Sequence, residues 1–498
     1  LVSKELPTDK TEYYFQIKHS YREDKELYKD LSLTISNNEL LIPEENPFIP
    51  KNATVPTREI KASVYPELAR NEKGIQLFFG QDHEFLRPKG VISLKIMFPK
   101  EKMDINHRVY SKLYTACVNE SLNELSYPAK QAGLNYTIRE GYEGVYVDIS
   151  GYRESAMFLY GLIVEHLVDF SVTESQFSAI KDKIVRDYEN FSLSDAHQQT
   201  RELSPDILWN MKFTWEESLP VAKSATLASV KAYGEDLYEK TFLEAMVYGD
   251  LEEKDADGVV DLFKQKTQTE AVARDEVFDL QYLSIDNPED IQYSTKLLVN
   301  NSCFFREYMV GKDSPDLRAK VKIIGAAIQQ PFYTEMRTNQ QLGYIVWSYS
   351  SAKDETHFLS FLIQSGVYPA DELDKRAGEF LLSSTNILKE MDDEMFQQLI
   401  KSEIEKLERL PKSIAERSRM LKTLIFEHDA DYKRDNKTIS ALKNLNKNDV
   451  VELMETVVSP ESRKMINVLT FAENHEDETG IKNSFDNLED WKSLRVYQ

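Results

Sequence analysis

The sequence has few of the residues that hold small scaffolds together or build membrane spans. Only two of its 498 residues are cysteine, Cys117 and Cys303, which excludes a disulfide scaffold and a cysteine-rich zinc module. Glycine and proline number 17 each and are scattered along the chain. The longest nearly unbroken apolar run, Met157–Val164, is far shorter than the ~20 residues that cross a bilayer. We therefore expect no membrane insertion.

Positive charge is also in short supply. The chain carries 61 lysines and arginines against 84 acidic residues, a net charge of −23. Nucleic acid is therefore not expected as a main partner, because phosphate binding needs a basic face. The same balance argues against an anionic membrane surface. It is compatible with a protein that attracts basic ligands into an acidic cavity.

The histidines are too far apart for a helical zinc site. Such a site needs two histidines within one turn, and the closest pair, His83 and His107, is 24 residues apart. The segment Leu162–His166 would be an inverted zinc motif only if Leu162 were histidine. We interpret it as an amphipathic core helix with a polar edge. A zinc site assembled from distant residues remains the alternative.

Other catalytic signatures are missing as well. The sequence contains no Gly-x-Ser-x-Gly elbow, no phosphate-binding loop and no Cys-x-x-Cys pair. The run Asp255-Ala256-Asp257-Gly258 superficially suggests a calcium loop, but the spaced acidic ligands and the closing glutamate are absent. We expect no metal ligand there.

Hydrophobic periodicity predicts an alternation of strands and helices from about residue 48 onward. Strands are predicted at 74–79, 91–98, 134–138, 144–150 and 245–248, and helices at about 106–125 and 154–168. Thr173 and Gln176 form a capping-box pattern at the start of a further helix. Residues 4–47 are polar and poorly periodic, and we interpret them as a connector. Leu1-Val2-Ser3 resembles the end of a strand.

The same order of elements recurs along the chain, which predicts a duplicated α+β domain of about 220 residues. The recurrence rests on three pairs in the same order: Tyr136 with Tyr344, Phe177 with Phe396, and Leu227 with Leu445. Three parts of the chain are predicted. Residues 1–47 are the end of a preceding domain plus a linker, 48–272 are the first repeat, and 273–498 are the second. Because the chain starts without methionine or a leader pattern, we expect it to be part of a larger protein.

The segment Gln330–Val346 carries the most distinctive pattern. A helix is predicted to end near Gln340, the chain to turn at Gly343, and a strand to carry Tyr344. Arg337 and Tyr344 would then present a guanidinium and a phenol at one helix–strand junction. From residue types alone, a structural salt bridge and a half-buried tyrosine is the favoured interpretation.

The run Arg337-Thr338-x-x-Gln341-Leu342-Gly343-Tyr344 resembles the signature of the C-terminal half of the pitrilysin and insulin-degrading-enzyme family, the inverzincin peptidases. The resemblance covers essentially all 498 residues and is closer in texture to bacterial pitrilysin. Its further points are Leu1-Val2-Ser3 with Tyr13, Asn46–Pro50, Gly151-Tyr152 and Gly249. It implies two tandem homologous α+β domains, the family's third and fourth, each an antiparallel-rich sheet covered by helices.

The resemblance also implies a function for the whole protein. It would be a zinc metalloendopeptidase that encloses and degrades peptides in a closed chamber. The zinc and its His-x-x-Glu-His motif would belong to the missing N-terminal half, so this chain is expected to bind no metal and to be inactive alone. It would supply the chamber wall, with Arg337 and Tyr344 as catalytic contacts to the substrate and Tyr333 beside them in substrate binding.

The expected partners are that N-terminal catalytic half and peptide substrates. The resemblance implies a periplasmic location, with the cytoplasm as the alternative. A second functional hypothesis is a metal-free peptide-binding or assembly module of the same fold. The sequence upstream of Leu1 separates the two hypotheses, because only the first requires a zinc motif there.

Overall fold

A computed structural model describes residues 7–21, 23, 26, 44–54, 57, 65–286, 290–477 and 480–498. The chain divides into two units, Leu1–Pro47 and Phe48–Gln498. In the first unit, strands β1 (Lys10–Thr11) and β2 (Lys18–His19) pair antiparallel, so the predicted connector contains a short hairpin. The strand end predicted at Leu1-Val2-Ser3 lies outside the described residues.

The second unit begins with a sheet that belongs to residues 67–271. Its strands are β3 (Glu67–Glu72), β4 (Ile75–Gln81), β5 (Lys89–Met97), β6 (Asn135–Glu140), β7 (Val145–Tyr152), β8 (Lys240–Gly249) and β9 (Glu270–Ala271). The strand order is β3-β4-β8-β5-β7-β6, with β9 alongside β8. Strand β8 runs parallel to β4 and β9, and the other pairs are antiparallel.

Eight helices accompany this first sheet in the described residues. They are α1 (Ile105–Ser121), α2 (Asn123–Gln131), α3 (Arg153–Val168), α4 (Glu174–Glu189), α5 (Ala196–Leu208), α6 (Trp215–Ser224), α7 (Leu227–Leu237) and α8 (Glu253–Thr267). Short 3₁₀ turns lie at Lys100–Lys102, Phe191–Leu193 and Arg274–Glu276.

A second sheet follows, with strands β10 (Ile291–Lys296), β11 (Ser302–Lys312), β12 (Ile345–Lys353), β13 (Thr356–Ser365) and β14 (Met465–Phe471). Its order is β10-β14-β11-β13-β12, parallel only between β10 and β14. Its helices are α9 (Pro315–Tyr333), a π-helix (Thr334–Asn339), α10 (Ala370–Ser383), α11 (Thr385–Glu390), α12 (Asp393–Leu407), α13 (Ile414–Glu427), α14 (Arg434–Lys443), α15 (Lys447–Val458) and α16 (Leu488–Ser493).

The second sheet repeats the connectivity of the first, since β10-β14-β11-β13-β12 corresponds strand by strand to β4-β8-β5-β7-β6. Phe177 and Phe396 also correspond, because each is the fourth residue of its helix, α4 or α12. The predicted pairing of Tyr136 with Tyr344 stays a prediction. Tyr136 lies inside β6, whereas Tyr344 precedes the first residue of β12. The division of the chain near residue 273 stays a prediction.

The α+β class is confirmed, and local signals explain several element boundaries. At the start of α4 the Thr173 hydroxyl accepts a bond from the Gln176 amide (3.2 Å), and the Thr173 amide donates to the Gln176 side chain (2.9 Å), as predicted. The helix predicted at 106–125 is instead two helices. Leu122, at φ −89° and ψ −1°, separates α1 from α2 and keeps its side chain fully buried.

Each sheet has one face against its own helices and the other against a helix from the opposite part of the second unit. Residues of α5 share an apolar cluster with strands of the second sheet: Ala196, Ile207 and Leu208 with Phe305, Leu362, Ile466 and Val468. Helix α13 packs in turn on the first sheet, through Ile414, Leu421 and Ile425 with Phe78, Val91, Met246 and Tyr248. The exchange is reciprocal, so separating the two sheets would expose an apolar face on each.

Polar contacts also join α13 to the first sheet and α5 to the second. The Lys422 ammonium on α13 lies 2.8 Å from the Asp148 carboxylate on β7. The hydroxyls of Thr200 on α5 and Thr470 on β14 lie 2.6 Å apart. In the described residues, no helix has the length and apolar character needed to span a bilayer.

Candidate functional site

Arg337 lies in the π-helix that continues α9, and contacts at both ends fix this helical segment. At the start of α9 the Ser314 hydroxyl accepts a bond from the Leu317 amide (3.1 Å), and Pro315 takes the first helical position. At the other end α9 continues into the π-helix, whose wider turn is a common feature of functional sites. Phe332 and Met336 are fully buried there, so they fix the segment that presents Arg337.

The turn between the π-helix and β12 differs from the one predicted. The left-handed residue is Gln341, with φ 53°, and not Gly343. Gly343 is needed for a different reason: a Cβ atom there would lie 1.8 Å from the backbone oxygen of Gln364 on β13. Leu342 between them is buried, and its amide donates to the Met336 carbonyl (2.9 Å). The turn is therefore pressed against the end of β13.

The structure brings the three predicted site residues together. The Arg337 Nη1 donates to the backbone oxygens of Tyr344 and of Gly343, the latter at 3.4 Å. The guanidinium carbon lies 4.3 Å from the centre of the Tyr344 ring and 5.7 Å from that of Tyr333. One arginine thus holds the backbone of Tyr344 and stacks on its ring.

The interpretation from residue types alone, a salt bridge with a half-buried tyrosine, is wrong. Among the described residues the hydrogen-bond partners of the Arg337 guanidinium are backbone oxygens and not carboxylates, and Tyr344 is 84% exposed. The nearby Glu335 carboxylate accepts bonds from the side chains of Asn339 (2.7 Å) and Gln340 (2.9 Å), which lower its pKa. The site therefore presents hydrogen-bond donors: a phenol held out into solvent and a guanidinium.

A second group of side chains lies beside this site, and the sequence patterns did not point to it. Trp347 on β12 is 39% exposed, and its ring meets that of His197 on α5 edge-on, with centres 5.2 Å apart. The guanidinium carbon of Arg201, one helical turn further, lies 5.9 Å from the indole centre. No local motif could reveal this group, because the reciprocal packing of α5 brings its members together.

The segment Leu162–His166 does not form a metal site. The Glu165 carboxylate pairs with Lys266 at 2.8 Å, and His166 Nδ1 lies 2.8 Å from the Ser121 hydroxyl. Burial lowers the pKa of His166. These residues do not fit a zinc ion. Throughout the described ranges, no group of three or more His, Cys, Asp or Glu side chains is placed to hold a metal.

The run Asp255–Gly258, which superficially suggests a calcium loop, lies in the first turns of α8. Asp255 Oδ2 accepts a bond from the Glu252 amide at the start of α8 (2.8 Å) and pairs with Arg153 (2.8 Å). The two cysteines are equally unsuited to chemistry, because burial raises the pKa of both thiols to about 12.

Comparisons with known proteins agree with this architecture. Residues 1–221 match the model of the middle or third domain of peptidase M16, and residues 323–422 match that of the PQQ synthase PqqF-like C-terminal lobe domain 4. Human insulin-degrading enzyme is 26% identical over 469 residues, covering 92% of this chain and 46% of that protein.

Two crystal structures share the fold. That of pitrilysin superposes with a TM-score of 0.86 at 20% identity, covering 100% of this chain and 53% of pitrilysin. That of the periplasmic protease PqqL from Escherichia coli gives a TM-score of 0.60 at 12% identity, covering 91% and 51%.

Along its full length the chain thus shares the fold of about half of the pitrilysin structure. The chain belongs to the pitrilysin and insulin-degrading-enzyme family, peptidase family M16, which confirms the family predicted from the Arg337–Tyr344 motif. It spans about half the length of the curated relatives it matches.

Proposed function

We propose that this chain is the C-terminal, non-catalytic half of a zinc metalloendopeptidase that encloses and degrades peptides. It would form part of the chamber wall and contact the substrate with Arg337 and Tyr344. The observation that carries this proposal is the Tyr344 phenol, 84% exposed on a turn that is otherwise tightly anchored. Family membership supports the assignment to peptide hydrolysis.

The chemistry of a peptide bond suits these two side chains. When a peptide is hydrolysed, negative charge develops on the carbonyl oxygen, and a hydrogen-bond donor aimed at that oxygen binds more strongly as the charge grows. The Tyr344 O–H is such a donor. Arg337 positions it through the backbone and the ring, and the remaining N–H groups of its guanidinium suit a neighbouring peptide carbonyl. Tyr333 would lie along the bound peptide.

The partner in this proposal is an N-terminal half that supplies the zinc and the general base. The described residues of this chain offer no set of metal ligands, so no catalytic step is assigned to a metal here. The proposed compartment is the periplasm, supported by the similarity to the periplasmic protease PqqL; the cytoplasm is the alternative.

Reassembly of the two halves tests this proposal. The purified chain, treated with chelator and reloaded with zinc, should retain less than one zinc per molecule and leave an unstructured peptide intact. Mixed or co-expressed with the N-terminal half, it should elute with that half in size exclusion and the mixture should cleave the peptide. Stoichiometric zinc and cleavage by this chain alone would contradict the proposal, as would two folded halves that neither associate nor cleave.

A further inference from the structure

Gln364 contacts both the turn that precedes Tyr344 and the group formed by Trp347, His197 and Arg201. Gln364 pairs with Ile345 in the sheet, and its backbone oxygen lies under Gly343. Its side-chain oxygen accepts a bond from the His197 amide (2.8 Å) and lies 3.0 Å from His197 Nδ1. Gln364 therefore sets the position of both groups, one on each side of the start of β12.

The positive charge of Arg201 is accessible to a ligand. Arg201 is exposed, and the partners of its guanidinium in the described part of the chain are the Trp347 ring and the Tyr349 hydroxyl, neither of which carries a negative charge. The neighbouring Glu202 pairs with Lys212 (3.1 Å), and the buried Glu307 pairs with Lys353 (2.7 Å). A cationic face beside an exposed indole thus remains in a chain whose net charge is −23.

We propose that Trp347, His197 and Arg201 form a subsite for an acidic side chain of the bound peptide. The proposal rests on the proposed function, because it takes Tyr344 as the position of the scissile carbonyl. A guanidinium binds a carboxylate through paired N–H groups, and the indole covers the aliphatic stem of a glutamate. Tyr344 and Trp347 are three residues apart, roughly 10 Å along an extended chain, and this odd spacing places them on opposite sides of the strand. A bound peptide would therefore pass around β12, an edge strand of its sheet among the described residues, and the acidic residue should stand more than three residues from the cleaved bond.

The test uses the reassembled enzyme and a set of peptides with one cleavable bond. Each peptide carries glutamate, glutamine or lysine at one position, and the positions are scanned across the bond. We expect kcat/KM for glutamate to exceed that for lysine about fivefold at one position more than three residues from the bond and to be equal elsewhere. Raising the salt concentration should reduce the preference, since the charges face solvent.

The variant Arg201→Glu should reverse the preference at that position to lysine. Arg186→Glu is the matched control, because Arg186 is also an exposed arginine, lies on α4, and its replacement changes the net charge equally. It should leave the glutamate preference unchanged. Trp347→Ala should reduce the discrimination between glutamate and glutamine.

The outcomes separate the subsite from the proposed function. If the enzyme cleaves peptides and Arg201→Glu leaves the profile unchanged, or changes it no more than Arg186→Glu does, the subsite is rejected and the proposed function stands. If the reassembled halves cleave no peptide and bind none in fluorescence anisotropy, both are rejected. Reversal of the preference by Arg201→Glu alone supports the subsite.

Discussion

Gly343 leaves no room for a side chain. Its ideal Cβ would lie 1.8 Å from the Gln364 carbonyl oxygen, a backbone atom that cannot rotate away. The sequence predicts a turn at this glycine and the structure shows a close approach instead, because the two look alike in a sequence. The left-handed conformation is taken by Gln341 instead. Gly343 thus sets how near the chain that precedes Tyr344 comes to β13.

Replacing Gly343 with alanine should therefore destabilise the chain. Relieving the clash requires a backbone shift at the end of β13, which typically costs about 1–3 kcal/mol in the free energy of unfolding. Gly258→Ala is the control, because a Cβ there meets nothing within 4 Å and the residue lies inside α8. That change should stabilise by about 0.5–1 kcal/mol. Urea unfolding followed by circular dichroism measures both; equal effects would remove the packing role of Gly343.

The residues of the site differ in how far the sequence could reveal them. Arg337 and Tyr344 stand in one contiguous motif, so a single segment was enough to find them, with Tyr333 beside them. Trp347, His197 and Arg201 come from a strand and a helix that are distant in the chain. Their contact depends on the packing of α5 on the second sheet, for which no local pattern exists.

At the scale of elements, the sequence patterns correctly predicted features that depend on a few neighbouring residues. The Thr173 capping box and the strands around residues 75 and 91 lie where they were predicted. The break at Leu122 and the π-helix were not predicted, since no glycine or proline stands at Leu122 or within Thr334–Asn339 to mark them. The sheet on which α5 and α13 each pack could not be predicted either. Their apolar faces show that they are buried, but not against which sheet.

Helix α13 should contribute strongly to the stability of the first sheet. Leu421→Ala would leave a cavity among Phe78, Val91 and Tyr248, and such truncations cost about 2–5 kcal/mol. Leu410→Ala, at a residue 69% exposed before the helix, should change the free energy of unfolding by less than about 0.5 kcal/mol. Denaturant titration of both variants decides the point. A loss at Leu421 no larger than at Leu410 would show that α13 is not packed on the sheet.

At the scale of the molecule, the reciprocal packing of α5 and α13 joins the two sheets into the single unit Phe48–Gln498. The two sheets share one connectivity, yet neither buries both of its faces with its own helices. In the proposed function, this arrangement would keep the chamber wall in shape while a peptide is held against it. It also fixes the surface that carries Tyr344 relative to α5, which comes from residues far earlier in the chain.

The central claim is that Tyr344 donates a hydrogen bond to the substrate as it is cleaved. The most direct measurement is the steady-state kinetics of Tyr344→Phe in the enzyme reassembled with the N-terminal half. Tyr127→Phe serves as the control, because Tyr127 is also largely exposed but lies on α2.

Removing the Tyr344 hydroxyl should lower kcat by about 10²–10³-fold with little change in KM, because the lost bond is strongest when charge has developed on the carbonyl oxygen. Thermal stability and the zinc content of the assembled enzyme should stay the same, and Tyr127→Phe should cleave normally. A Tyr344→Phe enzyme with normal kcat, or one whose only change is a lower melting temperature, would contradict the account.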